Sequence, residues 1–189
     1  MKAICPGCGR PAATTRELTS YHYRESGLEN LWIHGGVTET RCGNCGVTHV
    51  RVTKEWQLLQ VIAMGLLMHR GFLTGPEMKF VRRACQLSQA ELAAAIKHRR
   101  ATIAEREARR DPRLSLAEEI LLRLVLVRSF REHLSAPNQN FLPSGHRAEL
   151  DRYAQSMADS ALELARQMLG RMTAEMNERN EQWELKWTA

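Results

Sequence analysis

Apolar and polar residues follow two rhythms along this chain, and the rhythm changes near residue 53. Before that point the spacing is strand-like. "VTHVRVT", Val47 to Thr53, alternates apolar and polar residues and predicts a strand. "LWIHGGVTETR" ahead of it predicts a strand, a Gly35-Gly36 turn and a second strand. Beyond residue 53 the spacing becomes helical. "TKEWQLLQVIAMGLLMHRG" predicts a connecting helix that is apolar on more than one face, with His69 and Arg70 in its last turn and Gly71 as the stop. Trp56, Leu59, Met64 and Leu67 are expected in its core contacts, against the next domain or in a dimer interface.

Gly75-Pro76 opens the next helix, where Pro76 fits the first turn and Glu77 favours the helix N-terminus. Met78, Val81 and Cys85 fall on its inner side, and Cys85, alone among the cysteines, reads as a small core residue. Ser88-Gln89-Ala90-Glu91 is a capping box that starts "QAELAAAI", with Leu92, Ala93 and Ile96 inward. A break at Lys97-His98-Arg99 leads to a third helix, "RATIAEREA", with Ile103 inward. Two short helices around a tight turn are what a helix-turn-helix requires. A second capping box, Ser115 to Glu118, starts a helix running to about His133.

"SAPNQNFLPSG" is a turn-rich linker. After it Leu150, Tyr153, Met157, Ala161, Leu164, Met168, Met172 and Met176 recur every three or four residues, and Trp183 and Trp187 continue the row. That pattern predicts one amphipathic helix of about 40 residues. Two readings of it stand: a helix folded back on the domain or paired with its twin, and a partner-binding arm. The expected architecture is mainly α with a small β-rich ribbon: 1–53, then 54–134 with the helix-turn-helix bundle, a linker at 135–146, and a long C-terminal helix at 147–189.

Composition narrows the class. A chain of 189 residues with 43% hydrophobic content holds one sizeable core or two small ones. A charged fraction of 25% speaks against bulk disorder. Met1 to Cys5 contains no apolar leader, and Leu58 to Met68, broken by Gln60, is too short to span a bilayer, so a soluble cytoplasmic protein is expected. The net charge of +6 is uneven. Residues 76–113 carry 10 Lys+Arg against 5 acids, whereas residues 114–189 carry 9 against 11. The positive field therefore centres on the helix-turn-helix, as a polyanionic partner would require.

Four cysteines form two knuckles, "CPGCG" (Cys5, Cys8) and "CGNCG" (Cys42, Cys45). A two-residue spacer lets one tight turn present two thiolates to one ion, and two such turns complete a tetrahedral set. One structural Zn²⁺ per chain is expected. A disulfide pair is disfavoured in a reducing compartment. A redox motif would need a single knuckle beside a βαβ unit. His22, His34 and His49 are alternative ligands that four cysteines make unnecessary. No Ser/His/Asp arrangement, Gly-rich phosphate loop or HExxH motif is present, so an enzyme is not expected.

"LSQAELAAAI" and "RATIAERE" together resemble the helix-turn-helix of the Cro/C1 repressor class, also called the XRE class. Joined to the two-knuckle module, "LTGPEMKFVRRACQLSQAELA" resembles the MqsA-type antitoxins, a YgiT-type zinc finger fused to an XRE domain. The likeness covers roughly residues 1–125. It implies that Gln89 and Arg99 contact phosphate, and that Arg100, Ala101, Ala104 and Glu105 meet base edges, Arg100 being suited to a bidentate guanine contact. It also implies a buried ion pair between Arg82 and Glu107.

The chain departs from the class at four positions. Lys97 replaces a turn glycine, where a left-handed conformation carries strain. His98 replaces the following valine. Arg106 and Arg109 replace an aromatic residue and a glycine, adding charge beside the recognition helix. Either these arginines join the DNA contacts, or the domain has ceased to read sequence. The expected function is thus a dimeric DNA-binding regulator on a palindromic operator, an autorepressing antitoxin by resemblance. Its rival is a protein-interaction adaptor that neutralises a toxin or another partner.

Overall fold

The computed structural model describes residues 4–69, 71–110, 114–137, 139–143, 145–169, 171–177 and 182–188, from residue 162 onward as backbone. The N-terminal unit is a three-stranded antiparallel sheet, β1 (Ala13–His22), β2 (Trp32–Cys42) and β3 (Thr48–Val52), in that order. A 3-10 turn at Arg24–Ser26 lies between β1 and β2.

The expected turn at Gly35-Gly36 is instead a bulge inside one continuous strand. Leu18 pairs with Val37 and Ser20 with His34, so β2 carries one residue more than β1 there. Both glycines take positive φ, 75° and 66°, which their missing Cβ makes cheap. Two glycines signal a hairpin only if the flanking segments pair with each other, and here both flanks pair with β1.

Six helices follow among the described residues: α1 (Glu55–Met68), α2 (Gly75–Ala84), α3 (Gln89–Ala95), α4 (Arg100–Ala108), α5 (Leu116–Ser135) and α6 (His146–Leu169). Capping boxes start three of them, at Thr74/Glu77, Ser88/Glu91 and Ser115/Glu118. Each satisfies amides that a helix N-terminus leaves without a partner.

One apolar core runs through all six helices. Leu67, Val81, Leu92, Ile103, Leu122, Leu126, Phe130 and Leu150 are fully buried in it. Leu28 and Leu31, from the loop before β2, join it and anchor the N-terminal unit on the bundle. The sheet's own core is thin: Cys5, Ala13 and Cys42, with Cys8 and Ala12 against them, and Val37 buried on β2. Trp56, expected in the core, stands 68% exposed near the start of α1, while Met64 and Leu67 toward its end are buried.

The tail differs from its expected form. α6 folds back on α5, with Leu150 buried and Tyr153 and Ala154 against the core. Arg131 Nε donates to Asp151 at 2.6 Å. The helix then ends at Leu169, and β4 (Arg171–Asn177) pairs with β5 (Gln182–Thr188) as an antiparallel hairpin. The four-residue spacing of Met172/Met176 and of Trp183/Trp187 caused the misreading. Residues four apart share a face both in a helix and in a strand. In the hairpin Met172 pairs with Trp187, Ala174 with Leu185 and Met176 with Trp183.

Two buried charged pairs join the helices. Arg123 Nε donates to Glu119 at 2.6 Å, and its other nitrogens reach the Leu66, Leu67 and Gly71 carbonyls at the end of α1. Leu73 N–H donates to the same Glu119 oxygen at 3.1 Å. The arginine thus stands in for donors that the helix C-terminus lacks. Arg82 and Glu107 form the second pair, described below with α4.

Candidate metal centre and nucleic-acid interface

The Cys5 and Cys8 knuckle precedes β1, and the Cys42 and Cys45 knuckle spans the end of β2 and the turn into β3. Pairing of Ala13 with Cys42 brings the two turns together. All four Sγ atoms lie within 4.8 Å of one another. Cys5 Sγ is 3.6 Å from Cys45 Sγ, and Cys8 Sγ is 3.7 Å from Cys42 Sγ. A tetrahedron with metal–sulfur bonds of about 2.3 Å has edges of about 3.8 Å. The cluster therefore fits one metal ion with little adjustment.

Amides turn toward the sulfurs, Gly7 N–H to Cys5 at 3.3 Å and Asn44 N–H to Cys42 at 3.4 Å. These donors favour thiolate over thiol. The Cys45 amide, opposed by burial and helped by the Asn44 amide, pulls the Cys42 thiol down to about 6. Cys45 moves the other way, to about 12: the Val47 amide lowers it, but the thiol hydrogen bond with Cys42 and burial outweigh that donor. A metal ion held by the four cysteines would remove this proton sharing, since each would bind as a thiolate. His22, His34 and His49 stay outside the cluster. His22 stacks on Trp32 instead, with ring centroids 4.7 Å apart.

The α3–turn–α4 element forms the second candidate site. Ile96 caps α3, and Lys97 takes φ 55°, the left-handed conformation that its position in the turn demands. α4 is held from within at three points. Arg82 Nε and Nη2 donate to the two oxygens of Glu107 at 2.5 and 3.0 Å, a buried bidentate pair, and Arg82 Nη1 donates to the Leu87 carbonyl at 2.6 Å. Gly75 N–H donates to the Arg109 carbonyl at 3.0 Å, so the start of α2 sits directly on the end of α4. Arg106 Nη2 donates to Glu118 at 2.5 Å, tying α4 to the N-terminus of α5.

The expected DNA residues divide accordingly. Arg100, Ala101, Ala104 and Glu105 are exposed on α4, and Arg99 and Arg109 are exposed at its two ends. Arg109 reaches Glu105 at 3.9 Å along the helix. Arg106 is instead half-buried against Glu118. Gln89 is engaged too: its Nε2 donates to Glu107 at 2.8 Å. Gly75 and Glu118, which position α4, escaped the sequence reading. Their signals, Gly75-Pro76 at a helix start and Glu118 in a capping box, mark helix starts and not contact with α4.

Glu118 has a pH signature. The Ser115 amide foremost, then the Arg106 guanidinium, hold its carboxyl down at about 2 against an ordinary 4.5. The folded state therefore binds this proton less tightly than the unfolded chain. The stabilisation is complete above about pH 4.5 and fades as the pH falls toward about 2. Glu118→Gln should lower the melting temperature at neutral pH and leave it nearly unchanged at the acid end of that window. A melting series over this range checks it; a constant offset would remove Glu118 as the source.

No known family matches this chain, and no curated protein or solved structure matches it either.

Proposed function

We propose that this chain is a zinc-bearing helix-turn-helix regulator, a binding protein rather than an enzyme, that docks on duplex DNA through α4 as a dimer on a palindromic site. The exposed Arg99, Arg100, Ala101, Ala104 and Glu105, on or at the start of a helix locked from behind, carry this reading. Small residues at 101 and 104 let a helix approach base edges, and Arg100 is the side chain proposed to meet guanine. The surrounding excess of positive charge supplies phosphate attraction. Zinc is the proposed metal, because a closed set of four thiolates suits it and leaves no open position for catalysis. The ion's part is to cross-link the ribbon.

Among the described residues, no helix is long and apolar enough to cross a membrane. A cytoplasmic regulator that represses its own promoter is compatible with that. Resemblance to the MqsA-type antitoxins extends the proposal to neutralisation of a toxin, an associational step.

The test is a salt-titrated binding assay on the DNA upstream of the coding sequence. Affinity should fall steeply with salt. Arg100→Ala should weaken binding by about 1–3 kcal/mol and relax the preference at one base pair. Unchanged affinity in that variant would remove Arg100 from the interface.

One observation favours a second reading, the protein-interaction adaptor. Gln89 and Arg106 are occupied within the chain, and Arg109 lies near Glu105. Binding with little salt dependence would select it.

A further inference from the structure

A cleft of about 570 Å³ opens where the N-terminal unit, α1, α2, the linker and the end of α5 meet. We propose that it binds a small planar aromatic anion, such as an aryl carboxylate, as an effector. Its volume falls within the range of small-molecule sites. Tyr23, Trp56, Phe80 and Phe141 line it. Trp56 is 68% and Phe141 40% exposed, so two large aromatic residues are left in water at its mouth. A flat apolar ligand covers them, and stacked rings prefer offset or edge contacts that such walls permit.

The charge of the cleft is set by α2. Lys79 and Arg83, one turn apart, both line it and are exposed. Among the described residues neither makes an ion pair. Of the acids beside them, Glu107 is paired with Arg82, while Glu25 accepts only from the neutral Tyr21 hydroxyl at 2.5 Å, so the lining sets two cations against one carboxylate without a cationic partner among the described residues. His133 also lines the cleft, and burial lowers its pKa, so it adds no charge at neutral pH. Two free cations beside aromatic rings match an anionic group on an aromatic scaffold.

The cleft is also preformed. Gln60 Nε2 donates to the Gln139 carbonyl at 2.5 Å, and Phe141 N–H donates to Gln60 Oε1 at 2.8 Å. One buried glutamine thereby fastens the linker to α1 and fixes the Phe141 wall. A ligand bridging these elements restrains the ribbon and the linker against α2, the helix that holds α4.

The test uses the full-length, metal-loaded protein without DNA, so its result is separate from the DNA-binding reading. Two fluorescent probes share one scaffold, anilinonaphthalene sulfonate with an anionic group and phenylnaphthylamine without it. The sulfonate should bind at one saturable site per chain. The double variant Lys79→Ala/Arg83→Ala should weaken it about tenfold, the effect of two partly screened ion pairs, and leave the neutral probe unchanged. Phe141→Ala should weaken both probes. Equal sulfonate affinity in parent and double variant overturns the proposal, as does multi-site binding. A change of oligomeric state in either variant, by sedimentation, assigns the cleft to a subunit interface and likewise overturns it. Since all three side chains are exposed, an unchanged melting temperature verifies folding.

Discussion

Gly75→Ala is expected to destabilise the helical unit by about 3 kcal/mol or more, the upper end of overpacking costs. A Cβ at Gly75 would lie 2.1 Å from the Arg109 carbonyl oxygen, 2.3 Å from that of Arg106 and 2.9 Å from that of Glu107. These are backbone atoms at the end of α4, and no rotamer change moves them. Relief requires α2 and α4 to separate, which also disturbs the Arg82–Glu107 pair. The requirement for glycine is close approach of two backbones, not an unusual φ. The same substitution at Gly65 makes the contrast. That position is mid-helix on α1 with nothing within 4 Å, so alanine should stabilise there by about 0.5–1 kcal/mol. Thermal melts of the two variants should shift in opposite directions, Gly75→Ala falling by roughly 10 °C. A Gly75→Ala protein that melts like the parent would show that α2 and α4 are not packed as described. If α4 also loses its orientation, DNA affinity falls with stability, unlike the loss in Arg100→Ala.

The helical half was legible because its signals are local. The Ser88 and Ser115 boxes each mark a helix start within four residues, and Leu92, Ile96 and Ile103 repeat at helical spacing. The cysteine cluster was legible because knuckle spacing is itself a ligand geometry. β1 was not. "ATTRELTSYH" buries only Ala13 fully, so its alternation is too weak to read. The tail failed because a spacing of four satisfies two periods, and only pairing across the hairpin selects one.

Contacts that set the positions of the elements were hidden for a different reason. Gln60 meets Gln139 across 79 residues, Arg123 meets Leu67 across 56, and Arg106 meets Glu118 across 12. Polar partners at such separations leave no periodic trace, and each is fixed by packing around it. Arg82 and Glu107, 25 residues apart, were reachable only through resemblance to a family with a similar pair.

Removal of the proposed metal should abolish the N-terminal sheet while leaving the helices in place. The ribbon's buried core is small: Cys5, Ala13 and Cys42 in one cluster, with Val37 as a further buried residue of the strands. So small an apolar contribution cannot offset the conformational entropy of ordering three strands. In the proposed zinc-bearing form, metal binding supplies the difference. Apparent binding free energies of structural zinc, about 10–16 kcal/mol, are as large as the whole stability of an ordinary domain. The main core, by contrast, draws mostly on helices and, among the described residues, takes Leu28 and Leu31 from the N-terminal unit. Chelation, or Cys42→Ser, should therefore strip amide-exchange protection from β1–β3 and retain it in α2 to α5. Acid should have the same effect, because protons compete with the metal for the thiolates. Full protection of β1–β3 after chelation would show that the sheet stands on its own and that the cysteines hold no structural ion. The Tyr23 hydroxyl donates to Glu55 at the start of α1, so the damage should travel one step further. That tyrosine lines the cleft beside Trp56. Metal loss should therefore also weaken the aromatic probe, although no cysteine lines its site.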